Sequence, residues 1–173
     1  YHKWYGCEYI HPELHAQAVY GLPELNREAI KNTRVIGNPG CYPTSVALGL
    51  YPLLKNDLIH TDSIIIDAKS GTTGAGRTPS QDMHFPELNE SFHAYKAGAH
   101  RHTPEIEQTL SKMAGTSVKV TFVPHLLPVN RGILSTMYLR PKRAASLDEV
   151  RELYEKAYRS ERFVRLLPAG SYA

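Results

Sequence analysis

The chain has 173 residues, of which 42% are hydrophobic and 21% charged, as in a soluble globular domain that buries a core of its own. The 20 Lys and Arg and 17 Asp and Glu give a net charge of +3, and the basic residues are scattered, which disfavours a nucleic-acid-binding surface but suits small anionic substrates. No signal sequence and no apolar run of roughly 20 residues is present, so we expect a cytoplasmic protein, without a membrane partner, whose two cysteines, Cys7 and Cys41, stay reduced.

The first 32 residues show little hydrophobic periodicity. We predict a short helix at about 24–31 and a strand at 34–37. No Gly-x-Gly-x-x-Gly sequence follows a strand anywhere in the chain, so the dinucleotide-binding fingerprint is absent. We therefore expect the main domain for a nucleotide cofactor to lie outside this chain.

Cys41 lies in a cluster of turn residues, Gly-Asn-Pro-Gly-Cys-Tyr-Pro-Thr at 37–44, that runs into an amphipathic pattern ending at about 55. Proline suits the first turn of a helix, and the apolar residues recur with the helical period of about 3.6 residues. We predict that the thiol stands at a helix N-terminus, where N–H groups and the helix dipole favour a reactive thiolate. A small buried thiol is the alternative. The apolar positions are Val46, Ala47, Leu50, Leu53 and Leu54.

A β-branched run at 63–68 predicts a buried strand. It leads into a loop, Ser-Gly-Thr-Thr-Gly-Ala-Gly-Arg, at 70–77. Glycines let backbone N–H groups turn toward a ligand, hydroxyls add donors, and Arg77 can pair with a phosphate or carboxylate. We interpret the loop as a cradle for an anion; a flexible surface loop is the alternative.

Two histidines, His100 and His102, directly precede a predicted helix. Thr103 is a candidate N-cap for it, with a proline at the first helical position. A short strand is predicted at 95–99. If the histidines are extended, both side chains point toward one site while Arg101 points the other way.

The remaining pattern predicts strands at 117–123 and 131–140, a helix that begins at Ser146 or Asp148, and a last strand at 163–167. The two long strands are joined by a proline-containing stretch and are predicted to be antiparallel neighbours. We therefore expect an α+β fold in which a largely antiparallel mixed sheet is covered by helices on one face.

Four motifs occur in order along the chain: the cysteine turn, the glycine loop, Ala-His-Arg-His-Thr-Pro-Glu at 99–105, and Pro-His-Leu-Leu-Pro-Val-Asn-Arg-Gly at 124–132. Together they resemble the N-acetyl-gamma-glutamyl-phosphate reductase family, NADP-dependent enzymes of arginine biosynthesis, over nearly the whole chain. The resemblance implies that residues 1–39 are the tail of an NADP-binding domain. Residues 40–173 would form a catalytic and dimerisation domain like that of glyceraldehyde-phosphate and aspartate-semialdehyde dehydrogenases, in a homo-oligomer, either dimer or tetramer.

The implied reaction is the reduction of N-acetylglutamyl 5-phosphate to N-acetylglutamate 5-semialdehyde by NADPH. Cys41 would expel phosphate and form a thioester, which divides the reduction into two easier steps. His102 is predicted to be the acid/base, oriented by Glu105, and His100 to anchor the substrate carboxylate, although the two histidines are exchangeable. Without a nucleotide-binding domain, the chain alone is expected to be inactive or nearly so.

Further site residues follow from the same motifs. Arg131 can bind a substrate anion or brace its own loop. The substrate-binding candidates are Asn38, Ser70, Gly71, Arg77 and Arg131, and the cofactor-binding candidates are Gly74, Ala75 and Gly76.

Two alternative activities use the same residues. One is an acyl phosphate reductase like aspartate-semialdehyde dehydrogenase, although the double-histidine and cysteine motifs favour the acetylglutamyl enzyme. The other is a zinc hydrolase with Cys41, His100 and His102 as ligands. No Cys-x-x-Cys or His-Glu-x-x-His spacing supports such a site, so we expect no metal.

Overall fold

The computed structural model describes residues 2–8 and 10–172. None of its helices is long and apolar enough to cross a membrane, as far as these described residues go. Two short 3₁₀ segments occupy Thr72–Ala75 and Gln81–Met83. The α-helices are α1 (His2–Tyr5), α2 (Pro12–Gln17), α3 (Pro23–Lys31), α4 (Cys41–Lys55), α5 (Phe85–Leu88), α6 (Thr103–Ala114) and α7 (Leu147–Tyr158). The strands are β1 (Val19–Tyr20), β2 (Ile36–Gly37), β3 (Ile64–Ser70), β4 (His93–Ala94), β5 (Val120–Leu126) and β6 (Ile133–Tyr138).

Helix α4 carries much of the core. Val46, Leu50 and Leu53 recur at helical spacing on one side of it and are buried. Helix α6 packs beside them and adds Ile106 and Leu110 to the same cluster. Burying one such side chain stabilises the fold by roughly 2 kcal/mol. This packing fixes the direction of α4 and thereby the position of its first residue, the cysteine.

The main sheet has four strands in the order β4-β5-β3-β6, and β1 and β2 form a separate parallel pair. β3 and β5 run parallel, with Ser70 beside Leu126. β3 and β6 are antiparallel, with Ser70 beside Ile133. The segment 127–132 therefore crosses the carboxyl end of β3 on its way from β5 to β6.

The predicted α+β class is confirmed, whereas the predicted sheet is only partly right. The sequence predicts β5 and β6 as antiparallel neighbours, but β3 lies between them, and the longest pairing, β3 with β5, is parallel. Neighbouring strands lie only about 4.8 Å apart. The connection at 127–132 is therefore long enough to step over one strand, and its prolines do not force a hairpin.

One face of the sheet is turned toward the helices. In β3, Ile64, Ile66 and Ala68 are buried. Alternate residues of a strand point to opposite faces, and the alternate residues of β3 are more exposed. We call this second surface the open face; it carries Ile65, Asp67 and Lys69 of β3, with Tyr138 and Leu134 of β6 beside them.

Two predicted strands do not form. The stretch predicted as a strand at 95–99 contains a turn, in which Lys96 has a φ of +48° and its carbonyl accepts from the Ala99 N–H at 3.0 Å. The short strand β4 precedes it instead. The predicted strand at 163–167 is irregular, because the Val164 N–H closes a turn onto the Glu161 carbonyl at 3.1 Å.

Two predicted helix starts have different outcomes. Ser146 is the N-cap of α7, and its hydroxyl accepts from the Glu149 N–H at 3.1 Å, which confirms the first of the two proposed starts. Thr103 is the first residue of α6 rather than its cap. The cap position belongs to His102, whose φ of −79° and ψ of −14° are helical, so the condition of an extended backbone is not met at His102.

Candidate active site

Cys41 is the first residue of α4, and its thiol is free and exposed. Gly40 is the extended N-cap, and its carbonyl accepts from the N–H and the hydroxyl of Thr44 at 3.0 and 2.9 Å. The prediction of a cysteine at a helix N-terminus is confirmed, and the alternative of a buried thiol is wrong. The thiol lies where helix N–H groups and the helix dipole attract negative charge.

Cys41 lines a cavity of about 650 Å³. The cavity lies where the carboxyl end of β3 meets the N-termini of α4 and α6. The structure thereby brings together residues that are far apart in sequence. The predicted site residues that line the cavity are Cys41, Ser70, Gly71, Gly74, Ala75, His100 and His102. The predicted residues that do not line it are Asn38, Gly76, Arg77, Glu105 and Arg131.

The imidazole of His102 packs against Gly40, next to the cysteine. A Cβ atom built on Gly40 would lie 2.6 Å from Nε2 of His102. Nδ1 of the ring is buried and has no hydrogen-bond partner among the described residues. Burial lowers the pKa of His102, and the nearby Glu105 carboxylate partly offsets this while Arg101 adds to it. A ring that is neutral near pH 7 can accept a proton from the adjacent thiol.

Glu105 holds the cysteine turn in place. Its Oε1 accepts from the Gly40 N–H at 2.8 Å and from the Tyr20 hydroxyl at 2.9 Å. No hydrogen bond from Glu105 to His102 is formed in the part of the chain that the structure describes. Glu105 acts on His102 through its charge, and the idea that it orients the ring stays a prediction.

His100 is buried at the back of the cavity. Its neighbours are aromatic: the rings of Tyr42, Tyr95 and Phe122 meet it edge-on, with centroids 5.4–5.6 Å away. Burial, with help from nearby positive groups, lowers its pKa from 6.5 to about 4. Its Nδ1 accepts from the His102 N–H at 3.1 Å. His100 is therefore neutral, and its hydrogen is on Nε2, where it can be donated to a ligand.

Three backbone amides of the glycine loop are already hydrogen-bonded and so are not available to an anion. The N–H groups of residues 71–73 donate to backbone carbonyls of residues 129–132 at 2.9–3.0 Å. A Cβ on Gly71 would lie 2.7 Å from the backbone nitrogen of Arg131, so the two segments pack backbone to backbone. The loop is held because 127–132 crosses the end of β3. The three amides are thus occupied, and the exposed Arg77 side chain lies outside the cavity.

Several lining residues were not predicted. Arg101 was expected to point away, but the turn at 100–102 places it on the cavity wall with Lys96 and Asp82. The hydroxyls of Tyr42 and Tyr95 lie 3.0 Å apart below the histidines. The adjacency of Tyr42 to the cysteine was an available signal. The positions of Lys96, Arg101 and Asp82 could not be predicted, because they lie in turns and irregular segments without a periodic sequence pattern.

The small residues of the glycine loop could accommodate a nicotinamide ring, whereas no group of side chains suited to a metal ion is found among the described residues. Gly74 and Ala75 line the cavity with little side-chain bulk, and a Cβ on Gly74 would lie 3.3 Å from Oγ of Ser70, so small residues keep room for a flat ring. Among residues 2–8 and 10–172, no three His, Cys, Asp or Glu side chains are grouped as metal ligands. Cys41 and the two histidines are not placed as such a group in this structure.

Sequence comparisons relate the chain to known proteins. The family model described as "Semialdehyde dehydrogenase, dimerisation domain" matches residues 41–173. The N-acetyl-gamma-glutamyl-phosphate reductase of Clostridium beijerinckii is 60% identical over 173 residues, which is 100% of this chain and 50% of that protein. The chain thus spans about half the length of the curated relatives that it matches.

Solved structures share the fold at low identity. Aspartate semialdehyde dehydrogenase II from Vibrio cholerae matches with a TM-score of 0.64 and 15% identity, covering 82% of this chain and 49% of that one. Aspartate semialdehyde dehydrogenase with NADP from Candida albicans matches with a TM-score of 0.55 and 14% identity, covering 79% and 44%. At such identities the likeness supports the fold alone.

Proposed function

The chain belongs to the semialdehyde dehydrogenase dimerisation-domain family, and from that premise we propose that it is the catalytic part of an N-acetyl-gamma-glutamyl-phosphate reductase. The whole enzyme would reduce N-acetylglutamyl 5-phosphate to the 5-semialdehyde in the cytoplasm, as a step of arginine biosynthesis. Residues 1–39 would be the end of its NADP-binding domain and residues 40–173 the catalytic domain. The observation that carries the proposal is the exposed Cys41 at the start of α4, with His102 packed against the preceding glycine.

Cys41 is the nucleophile. The Sγ lone pair forms a bond to the acyl carbon of the substrate, the bond from that carbon to the phosphate oxygen breaks, and phosphate leaves with the electron pair. A thioester on Cys41 results. Nε2 of His102 takes the thiol proton, because the ring lies against Gly40 and is neutral near pH 7. The same ring returns the proton to the substrate oxygen when negative charge develops there.

The neutral His100 binds substrate. Its Nδ1 is occupied by the His102 N–H, so Nε2–H is the group free to donate to a carboxylate or carbonyl oxygen. NADPH, when bound, supplies the hydride that turns the thioester into the aldehyde. Gly74 and Ala75 would face its nicotinamide, whereas Gly76 lies outside the cavity. The Candida albicans enzyme of the same fold was solved with NADP, which supports this choice of cofactor.

An acyl phosphate reductase acting on aspartyl phosphate is the second candidate. Aspartate semialdehyde dehydrogenases share the fold, which leaves this activity open as an alternative. The 60% identity to an N-acetyl-gamma-glutamyl-phosphate reductase over the full chain, against 15% to the Vibrio cholerae enzyme, supports the first candidate more strongly.

The test uses the first half-reaction, which needs no nucleotide. The protein is mixed with N-acetylglutamyl phosphate or with aspartyl phosphate, and intact mass spectrometry measures the acyl group added while phosphate release is followed. We expect one N-acetylglutamyl group on the wild type and on Cys7→Ser, and none on Cys41→Ser. A wild-type protein that takes up no acyl group, or a Cys41→Ser variant that still does, would contradict the proposal. Preferential uptake of the aspartyl group would favour the second candidate.

The open face of the sheet is proposed as the contact with a second copy of the chain. Ile65, Leu134 and Tyr138 are 44%, 65% and 56% exposed there, and the matched family is described as a dimerisation domain. We expect Leu134→Glu to convert a dimer into a monomer in analytical ultracentrifugation. Leu147→Glu is the control, because Leu147 is 77% exposed on α7, away from the sheet. A wild type that is monomeric, or a Leu134→Glu variant that stays dimeric, would rule out this contact.

A further inference from the structure

We infer that Lys96 and Arg101 form the subsite that binds the phosphate group of the acyl phosphate, in place of the arginines of the glycine loop and of 127–132. This inference rests on the proposed function and names residues for the anion that the function requires. Both side chains line the cavity that contains Cys41, whereas Arg77 and Arg131 do not.

The residues that directly precede Lys96 and Arg101 are fixed in the structure. The Tyr95 N–H donates to the Pro124 carbonyl on β5 at 3.0 Å, which fixes the residue before Lys96. His100, the residue before Arg101, is buried. The intervening chain is closed by the turn between Lys96 and Ala99. Both cationic side chains therefore start from fixed points of the cavity wall, although their ends are exposed.

Neither cation has a carboxylate partner among the described residues, in contrast to most other basic side chains of the sheet and its loops. Ion pairs are formed by Lys69, Lys119, Arg140, Lys142 and Arg143. The charges of Lys96 and Arg101 are felt by the histidines of the cavity: both lower the pKa of His100, and Arg101 also lowers the pKa of His102. A cavity wall with two unpaired cations attracts an anion.

Among the described residues, one acidic side chain, that of Asp82, also lines the cavity and opposes this attraction. It is exposed and makes no ion pair with either cation in the described part of the chain. The two cations outnumber it, so the local balance stays positive. A guanidinium can grip two phosphate oxygens at once, and an ammonium supplies a compact positive charge beside it. Both stabilise the negative charge that grows on the phosphate as it leaves.

The test compares two alkylating agents at Cys41, the anion iodoacetate and the neutral iodoacetamide. Modification is followed by mass spectrometry, and the ratio of the two rates reports the local potential. We expect Arg101→Gln and Lys96→Gln each to lower the ratio by about threefold to tenfold, and Asp82→Asn to raise it. Arg34→Gln is the control, since Arg34 is exposed and outside the cavity.

Inorganic phosphate is then used as the ligand probe. It should slow the alkylation of Cys41 by iodoacetamide in the wild type and in Arg34→Gln, and this protection should be lost in Arg101→Gln and Lys96→Gln. Ratios and protection that match the control in both cavity variants would overturn the inference. The outcome is separate from that of the proposed function, because the acylation of Cys41 by N-acetylglutamyl phosphate is scored on proteins that keep both Lys96 and Arg101.

Discussion

The ring of His102 lies so close to Gly40 that a Cβ atom on Gly40 would be 2.6 Å from Nε2 and 2.9 Å from Cδ2 of the histidine. Gly40 is joined directly to Cys41, and the absence of a side chain on Gly40 lets the imidazole pack against the backbone just before the cysteine. The contact ties the cysteine turn to the start of α6, which lies 62 residues further along the chain when counted from 40 to 102.

Replacing this glycine should separate the histidine from the cysteine. We expect Gly40→Ala to slow alkylation of Cys41 by about tenfold and to cost about 1–3 kcal/mol of the free energy of unfolding, because the half-buried ring of His102 must move. Urea unfolding and alkylation rates measure the two effects. Gly37→Ala, at the end of β2 just before the cysteine turn, is the matched control, since the nearest atom to its Cβ is 4.0 Å away. Equal effects of the two substitutions would contradict the prediction.

The two cysteines offer an internal comparison of reactivity. Both are free and exposed, so access alone does not separate them. We expect Cys41 to react with iodoacetamide at pH 7 about tenfold faster than Cys7, because it stands at the N-terminus of a 15-residue helix beside His102. His102→Ala should remove most of that advantage. Mass spectrometry of the two peptides over a pH series gives both rates, and similar rates in the wild type would show that the thiol is not activated in this chain.

Glu105 should stabilise the fold through its hydrogen bonds and should also raise the pKa of His102 through its negative charge. Glu105→Ala removes the acceptor of the Gly40 N–H and the Tyr20 hydroxyl, so we expect a loss of about 1–3 kcal/mol in unfolding free energy. Glu105→Gln keeps an acceptor oxygen and should lose less. Because the carboxylate raises the pKa of His102, both variants should lower that pKa further in an NMR titration.

Glu152→Gln, an exposed change on α7, serves as the control for these measurements. A pKa of His102 that is the same in Glu105→Gln and in the wild type would show that the carboxylate does not act on the ring.

His100 should make stability depend on pH. Its pKa is lowered from 6.5 to about 4, first by burial and then by the neighbouring His102, Lys96 and Arg101 side chains. Above pH 6.5 the folded and unfolded states are both neutral at this residue. Between pH 6.5 and 4 the unfolded chain binds a proton that the folded chain does not, so stability should fall as pH falls, by about 3 kcal/mol.

The variant His100→Asn tests this assignment. Asparagine offers an oxygen near the position of Nδ1 but does not titrate, so the variant should be less stable at pH 7 and should lose less stability on going to pH 4. Urea unfolding at a series of pH values measures the slope, with the exposed His84→Asn as control. An unchanged slope in His100→Asn would assign the acid sensitivity to other groups.

Local sequence was enough to place several elements of the site. Turn residues followed by a helical period located Cys41 at the start of α4, and a β-branched run located β3. A serine before an amphipathic segment located the start of α7. These features succeed because caps, turns and periodicity depend on residues within a few positions of one another.

The contacts between these elements are decided only by the tertiary structure. The order of the strands put β3 between β5 and β6, and this brought 127–132 onto the amides that the sequence assigned to an anion. The turn before α6 directed Arg101 toward the cavity rather than away from it.

The sequence by itself located Cys41 at the start of a helix, predicted it as the nucleophile with two histidines beside it, and carried the resemblance to the family. The tertiary structure decided that His102 packs on Gly40 and that Glu105 bonds to Tyr20, 85 positions away. Such contacts depend on the way the helices and strands pack, since they join groups that share no local pattern. The contacts of a single Tyr, Lys or Arg in an irregular segment therefore cannot be predicted from the local sequence and require the tertiary structure.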